Sequence, residues 1–290
     1  MAEAIARGKL IPPYLLSTPA LLLYCALLLT PMLMTFLLSF NSFDLYTGIK
    51  PDYSLANYLE VIQDKYFHVI FLRTFGMALV VTLICALLGA PEAYILNRMA
   101  NPWKSLFLLA VLGPLLISVV VRTLGWALLF GKEGAINQTL MGLGLVDEPV
   151  KLIFTSTGVV IALVHVLVPF MVISVWASLQ KLDPATERAG LSLGASQFTV
   201  LRRVVVPQVM PGVLSGSLIV FALTASAFAT PAILGGRRLK VVATTAYDEY
   251  LNTLNWPLGA AIAILLLVAN VIIITSYNRV IEKKYAEAFG

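Results

Sequence analysis

Four ionisable side chains interrupt the long apolar stretches of this sequence: Arg73, Glu92, Arg122 and His165. A carboxylate inside a bilayer can carry a proton or hold a cation, and a neighbouring His can relay the proton. Here the acid and the His fall in different apolar runs, Glu92 toward the end of one and His165 near the middle of another. Carriers driven by ion gradients place carboxylates at mid-membrane, so this pattern argues against proton or sodium coupling. Arg73 lies near the end of its run, where a long cation can snorkel to the interface. Arg122 is deeper and is followed by Gly125-Trp126; the cost of exposing it to lipid turns it toward protein. His165 reads as a structural hydrogen-bonder or as a solute contact. With Trp126 and the small polar Thr224 and Ser226, Arg122 and His165 make up the candidate lining of a pathway.

Catalytic patterns are missing. The glycines leading to Gly131-Lys132 have the wrong spacing for a phosphate loop and end in Lys-Glu rather than Lys-Ser or Lys-Thr. There is no HExxH, and His68 and His165 lie on different runs, without the clustered acids and histidines a lipid-acting enzyme needs. Cys25 and Cys85 stand far apart in apolar runs without a CxxC, which predicts buried thiols rather than a disulfide or a metal site. No cofactor and no metal are expected.

The elements that position these groups follow from composition. Of 290 residues, 59% are hydrophobic and 12% charged, about half the charged share of a soluble domain. Mean hydropathy is +0.90. The chain is therefore expected to be an integral membrane protein. Its net charge of +5 comes from basic residues scattered among loops, which suits anionic lipid and not nucleic acid.

About 20 apolar residues cross a bilayer as a helix. Six runs qualify, roughly 14–40, 68–95, 104–129, 153–179, 212–233 and 257–278. They are continuous rather than alternating, so they predict helices and not barrel strands. The fold class expected is all-α and polytopic. Arg7 and Lys9 precede the first run, but its length predicts an uncleaved span rather than a signal peptide. With the N-terminus inside, the inner segments hold eleven Lys and Arg and the outer ones seven, which places both termini in the cytoplasm.

The outer segment 41–67 carries Tyr46, Tyr53, Tyr58 and Tyr66, read as interfacial anchors. The loop 131–150 is apolar enough to lie on the outer leaflet as a short helix, either a connector or part of a docking surface for an external partner. Asn137-Gln-Thr139 matches a glycosylation triplet that carries no weight by itself. Pro91, Pro114, Pro169 and Pro231 are expected to kink their spans. In the fifth run, Gly212-x-x-x-Gly216 and a series of Ala, Ser and Thr predict close helix packing, a narrow polar route, or both.

One polar stretch, 183–207, is set between apolar spans and must lie in water at a membrane face. Asp183-Pro184 is a helix start, with Glu187 near its positive end. That helix is expected to reach Gly194, where the chain turns. Ser196 then caps a second helix carrying Arg202 and Arg203, expected to stop at Pro207 and Pro211. The product is a short helix lying across the membrane face, a shape suited to docking.

Gly194, nine residues, then Val204, Val206 and Pro207 resembles the cytoplasmic EAA loop of ABC-importer permeases. The family's Glu-Ala-Ala falls on Arg188-Ala189-Gly190, with Glu187 one place earlier. The resemblance extends over about residues 10–280. It is carried by Gly76-Met-Ala-Leu-Val, Leu87-Leu-Gly89, Arg122-Thr-Leu-Gly, Lys132-Glu-Gly-Ala-Ile-Asn-Gln and Leu143-Gly-Leu-Val-Asp. Val168-Pro-Phe-Met-Val, Gln180-Lys-Leu-Asp and Asn255-Trp-Pro-Leu-Gly-Ala-Ala complete it. Among these permeases the chain is most similar to the spermidine/putrescine permease B group.

The resemblance implies a six-helix type I importer permease: tail, first helix and outer loop over 1–67, a core over 68–280 with a coupling loop at 181–211, and a tail at 281–290. It implies a second permease, two ATPase subunits that bind the ATP and Mg, and an external substrate-binding protein, in a bacterial inner membrane. It assigns ATPase coupling to Asp183, Glu187, Arg188, Ala189, Gly190, Gly194, Ala195 and Pro207. The implied solute is a small amine, first a polyamine and otherwise an opine, amino-acid-like amine or aminophosphonate. A self-sufficient secondary carrier is the alternative.

Overall fold

The computed structural model describes the backbone of residues 13–289 and the side chains of 17–279. Arg7 and Lys9, read above as inner cations, lie outside the described residues, as do the side chains of Lys283 and Lys284. The first apolar run forms α1 (Pro13–Tyr24) and α2 (Thr30–Leu38), joined through a π-turn at Cys25–Leu29. A hairpin of β1 (Ser42–Asp44) and β2 (Gly48–Lys50) follows, with Phe43 opposite Ile49, then α3 (Ala56–Gln63). Next come α4 (Lys65–Arg98), α5 (Trp103–Leu112), α6 (Val119–Phe130), α7 (Ala135–Gly142) and α8 (Ser156–Leu179). The remainder is α9 (Pro184–Ser192), α10 (Gln197–Val200), α11 (Val206–Ala225), α12 (Val242–Leu251) and α13 (Trp256–Phe289).

Among the described residues, five helices are long and apolar enough to cross a membrane, and a bent pair brings the number to six if it counts as one span. That pair corrects the expected third span. Pro114 cannot donate to the preceding turn, so the chain tightens into a 3-10 turn at Gly113–Leu116. Ile117 and Ser118 are extended (ψ 139° and 135°), and the helix restarts at Val119, bent by 100° from the first half. The fifth span is also corrected. Its helix ends at Ala225 rather than 233, and the chain resumes as a π-turn at Pro231–Gly235. Downstream, between the fifth and sixth apolar runs, α12 is a further short helix.

The chain divides into two compact units, one of 1–63 with 246–264, the other of 64–245 with 265–290. In the larger unit, α4, α8 and α11 pack side by side around Val81, Cys85, Val159, Met171, Val175 and Val220, all buried. In lipid such packing depends on close fit more than on water exclusion. Gly212 and Gly216 bring the α11 backbone against α8: a Cβ at 216 would sit 2.8 Å from Met171 Sδ, and one at 212 would meet Ser178 and the Ser174 carbonyl. This is the close-packing reading of the GxxxG pair.

Arg73 does not simply snorkel. Its Nη1 donates to the Lys240 carbonyl at 3.0 Å, and the neighbouring Thr74 hydroxyl accepts from Val242 N at 3.0 Å. Together they tie the start of α12 to α4. In the smaller unit, Asn57 Nδ2 donates to the carbonyls of Ser39 and Asn41 at 2.9 and 2.8 Å. Tyr58 hydrogen-bonds Ser39 Oγ and packs on Phe40, so it is a structural residue, whereas Tyr46, Tyr53 and Tyr66 remain exposed. Cys85 is buried as expected, but Cys25 is exposed, because no residue of its π-turn is buried against the rest of the chain.

Candidate functional site

Two regions hold the residues singled out by the sequence. The first is the α6–α8 contact. Arg122 and Trp126 are four residues apart on α6 and share one face. Trp126 Nε1–H donates to His165 Nδ1 at 3.1 Å, with the two rings edge to face at 5.5 Å. This is the structural hydrogen bond anticipated for His165. One step along α6, the Thr123 hydroxyl meets that of Thr230 at 3.1 Å, fastening the segment after α11 to α6.

Arg122 differs from its neighbours. Its Nε and Nη1 are buried and have no hydrogen-bond partner among the described residues. The side chain borders a cavity of about 330 Å³, walled mostly by Leu115, Val119, Leu167, Phe170, Leu223 and Phe228. The structure thus brings Arg122, Trp126 and His165 together and leaves Thr224 and Ser226 apart. Thr224 is buried and donates to the Val220 carbonyl in its own helix at 2.7 Å. Ser226 is exposed at the end of α11 and donates to the Ala222 carbonyl. The residues of this stretch that do border the cavity are Leu223 and Ala227–Thr230. Their signal was the run of small residues before Pro231, hidden by the expectation of an unbroken helix.

The second region is the polar corner at 183–207. Asp183 accepts from Ala185 N at 2.8 Å and opens α9 with Pro184 in its first turn. Gly194 has φ +84°, the left-handed turn for which glycine is suited, with nothing within 4 Å of a would-be Cβ. Ser196 accepts from Thr199 N at 3.2 Å and caps α10. The expected stop at Pro207 does not occur: α10 continues through a π-turn at Leu201–Val205 into α11, one helix through both prolines. The π-turn shifts the register just before Pro207, which then falls in the first turn of α11, where a missing N–H is tolerated.

The corner is fixed to the helix ends behind it. Glu187 forms an ion pair with Arg98 of α4, which also donates to Tyr94 Oη at 2.9 Å. Gln180 Nε2 donates to Asn97 Oδ1 at 2.8 Å. Gly190 lies against Val200, so a Cβ there would come within 3.1 Å of Val200 Cγ2. Arg188, Ala189, Leu193 and Phe198 face outward, Leu193 being 89% exposed. Ala195 is half-buried at the turn. Elsewhere in the same unit, α7 is present as the short helix expected for 131–150. Asn137 is buried there, holding the Gly131 and Val150 carbonyls at 2.9 and 3.2 Å and accepting from Val150 N at 2.9 Å.

A broken bundle of apolar helices with an exposed, capped corner helix is the architecture of an importer permease of the ABC type, and the chain is a multi-pass membrane protein. Residues 14–286 match the family described as binding-protein-dependent transport system inner membrane component, and the chain belongs to that family. It is 32% identical over 257 residues to the spermidine/putrescine transport system permease protein PotB of Escherichia coli (strain K12), covering 88% of this chain and 93% of that one. It is also 30% identical over 258 residues to the sulfate transport system permease protein CysW of Synechocystis sp. (strain ATCC 27184 / PCC 6803 / Kazusa), covering 88% of each. Among solved structures it is similar to a bacterial ABC transporter involved in the import of the acidic polysaccharide alginate, with TM-score 0.76 at 17% identity over 93% of this chain and 94% of that one. A MetNI methionine ABC transporter chain matches with TM-score 0.58 at 15% identity, covering 76% and 99%.

Proposed function

We propose that this chain is the transmembrane permease subunit of an ATP-driven importer, forming half of a translocation pathway for a small amine-type solute. The observation that carries the coupling role is the corner at 183–207: a capped helix with an exposed outer face, joined by the Gly194 turn to α10, which runs on unbroken into a spanning helix. A push on α9 passes through the Gly194 turn and the Gly190–Val200 contact into α10 and so into α11. Asp183, Gly194 and Gly190 shape the corner, Glu187 ties it to α4, and Arg188, Ala189, Ala195 and Pro207 complete the surface and its exit. The partners are two ATPase subunits that bind ATP and Mg, a second permease, and a soluble binding protein on the opposite face. The chain itself performs no catalysis. Its place is a bacterial inner membrane with both termini in the cytoplasm, in keeping with the Lys and Arg bias.

Polyamines stand first as solute, supported by the permeases named for spermidine and putrescine at 32% identity over most of the chain. A second reading, an amine that also bears an acid group, is favoured by the unpaired guanidinium of Arg122. Cross-linking mass spectrometry of the complex taken gently from its membrane tests the assembly. Cross-links from an ATPase to Lys181 at the root of the corner, and a second permease in the same particle, are expected. The chain alone, or uptake by the purified chain alone in vesicles, would leave a self-sufficient carrier instead.

A further inference from the structure

Arg122 is the group the fold leaves unanswered. A guanidinium stays charged, and burying its N–H groups without acceptors is costly. The ion pairs seen among the described residues, Lys50–Asp44 and Arg98–Glu187, are elsewhere in the chain. Among the described residues none supplies an acceptor to Nε or Nη1, and the cavity gives room for one from outside. About 330 Å³ is at the small end for ligand sites, the size of a compact solute.

Depth narrows the choice further. The cavity meets α8 between Leu163 and Phe170, in a helix running from Ser156 to Leu179. At about 1.5 Å per residue these positions lie some 10–21 Å along a helix of about 36 Å. This is the middle of the span, away from lipid phosphates at the edges of the hydrocarbon. We infer that Arg122 receives the anionic group of the transported solute, a carboxylate or a phosphonate, as it passes mid-membrane. The inference rests on the importer reading and takes up the second of its two solutes, an amine that also bears an acid. A bare polycation would meet a like charge in a cavity that offers no carboxylate.

The test uses the whole transporter with its own binding protein, in cells lacking other carriers for the two probes. Labelled 4-aminobutyrate and putrescine share a four-carbon chain and differ by a carboxylate in place of one CH2–NH3+ group. Uptake of 4-aminobutyrate is expected to exceed that of putrescine by about tenfold or more. Arg122→Gln should reduce that preference to about twofold or less, and Arg122→Lys should keep most of it. Preferred uptake of putrescine, or a preference unchanged in Arg122→Gln, would overturn the inference. So would loss of the second permease from both variants with selectivity intact, which would make Arg122 an inter-subunit ion pair. If neither probe is carried, phenylglyoxal labelling of Arg122 in the purified complex decides: protection by 4-aminobutyrate and not by putrescine supports the inference, and equal or absent protection overturns it. Vanadate resistance of the uptake would refute the importer reading instead, while the ratio between probes is still read from the same cells.

Discussion

Arg98, the last residue of α4, pairs with Glu187 in the first turn of α9 while stacking on and hydrogen-bonding its own Tyr94. The ring–guanidinium distance is 5.0 Å. The corner helix is thus bound to the end of a second spanning helix and not only to α8 and α11, its neighbours in sequence. Glu187 sits at the positive end of α9, so the pair and the helix dipole act on the same carboxylate.

Removing that tie should weaken transmission more than folding. A partly exposed ion pair is worth about 0.2–1 kcal/mol, so Glu187→Gln should leave the protein in the membrane at normal level. Solute-stimulated ATP hydrolysis by the assembled transporter is expected to fall about twofold to fivefold. The exchange Arg98→Glu with Glu187→Arg should recover part of it. Hydrolysis equal to the parent in both single variants would remove the pair from coupling.

Gly194 allows a sharper test, because open space surrounds it and only its backbone matters. Holding a β-branched residue at φ +84° costs about 1–2 kcal/mol. Gly194→Val should loosen the α9–α10 turn and reduce uptake strongly with expression preserved, and Gly194→Asn should be far milder. Equal uptake by both variants would show that the left-handed turn is dispensable.

At the α8–α11 contact the effect should be on stability. A larger side chain at Gly216 has to displace Met171, and overpacking of this kind costs about 1–3 kcal/mol. Gly216→Leu is expected to lower the midpoint of thermal unfolding in detergent. A compensating loss of volume on the other side, Met171→Ala, should partly offset it when combined. Additive destabilisation in the double variant would contradict the contact.

The hairpin 42–50 carries a pH signature. Hydrogen bonds from Thr47 N, Tyr46 N and the Thr47 hydroxyl hold the Asp44 carboxyl below its usual range, and a bond from Ser42 does the same for Asp52. A depressed folded-state pKa means that the stabilisation is complete above the unfolded value, about 3.9, and is lost as pH falls through the lower folded one. Hydrogen exchange of the hairpin amides should be unchanged from neutral pH to about 5 and should accelerate, beyond its intrinsic pH trend, below about 4. In Asp44→Asn with Asp52→Asn the low-pH step should vanish.

Much of the fold was legible because apolar length is a strong signal. The runs over 68–95 and 153–179 appear as helices within a few residues, the run over 257–278 starts as expected and continues to Phe289, and the Asp183-Pro184 start and the Gly194 turn appear as read. The breaks were not legible. Pro114 and Pro169 look alike in sequence, yet α8 runs through Pro169 while the chain at Pro114 bends by 100°. Pro207 and Pro211 looked like stops and are passed by a continuous helix.

Composition and order therefore settled that this chain crosses a membrane several times and carries one capped, water-facing corner. Those properties depend on transfer from water and on local backbone chemistry, both read within a few residues. Which prolines break a helix, which charges find partners and which do not is decided between helices far apart in sequence. Arg73 reaches the Lys240 carbonyl and Arg98 reaches Glu187, while Arg122 meets an open cavity. These three arginines are chemically the same residue. Only the tertiary packing, which sets the acceptors within reach of each, makes two of them structural and leaves the third free to meet an anion.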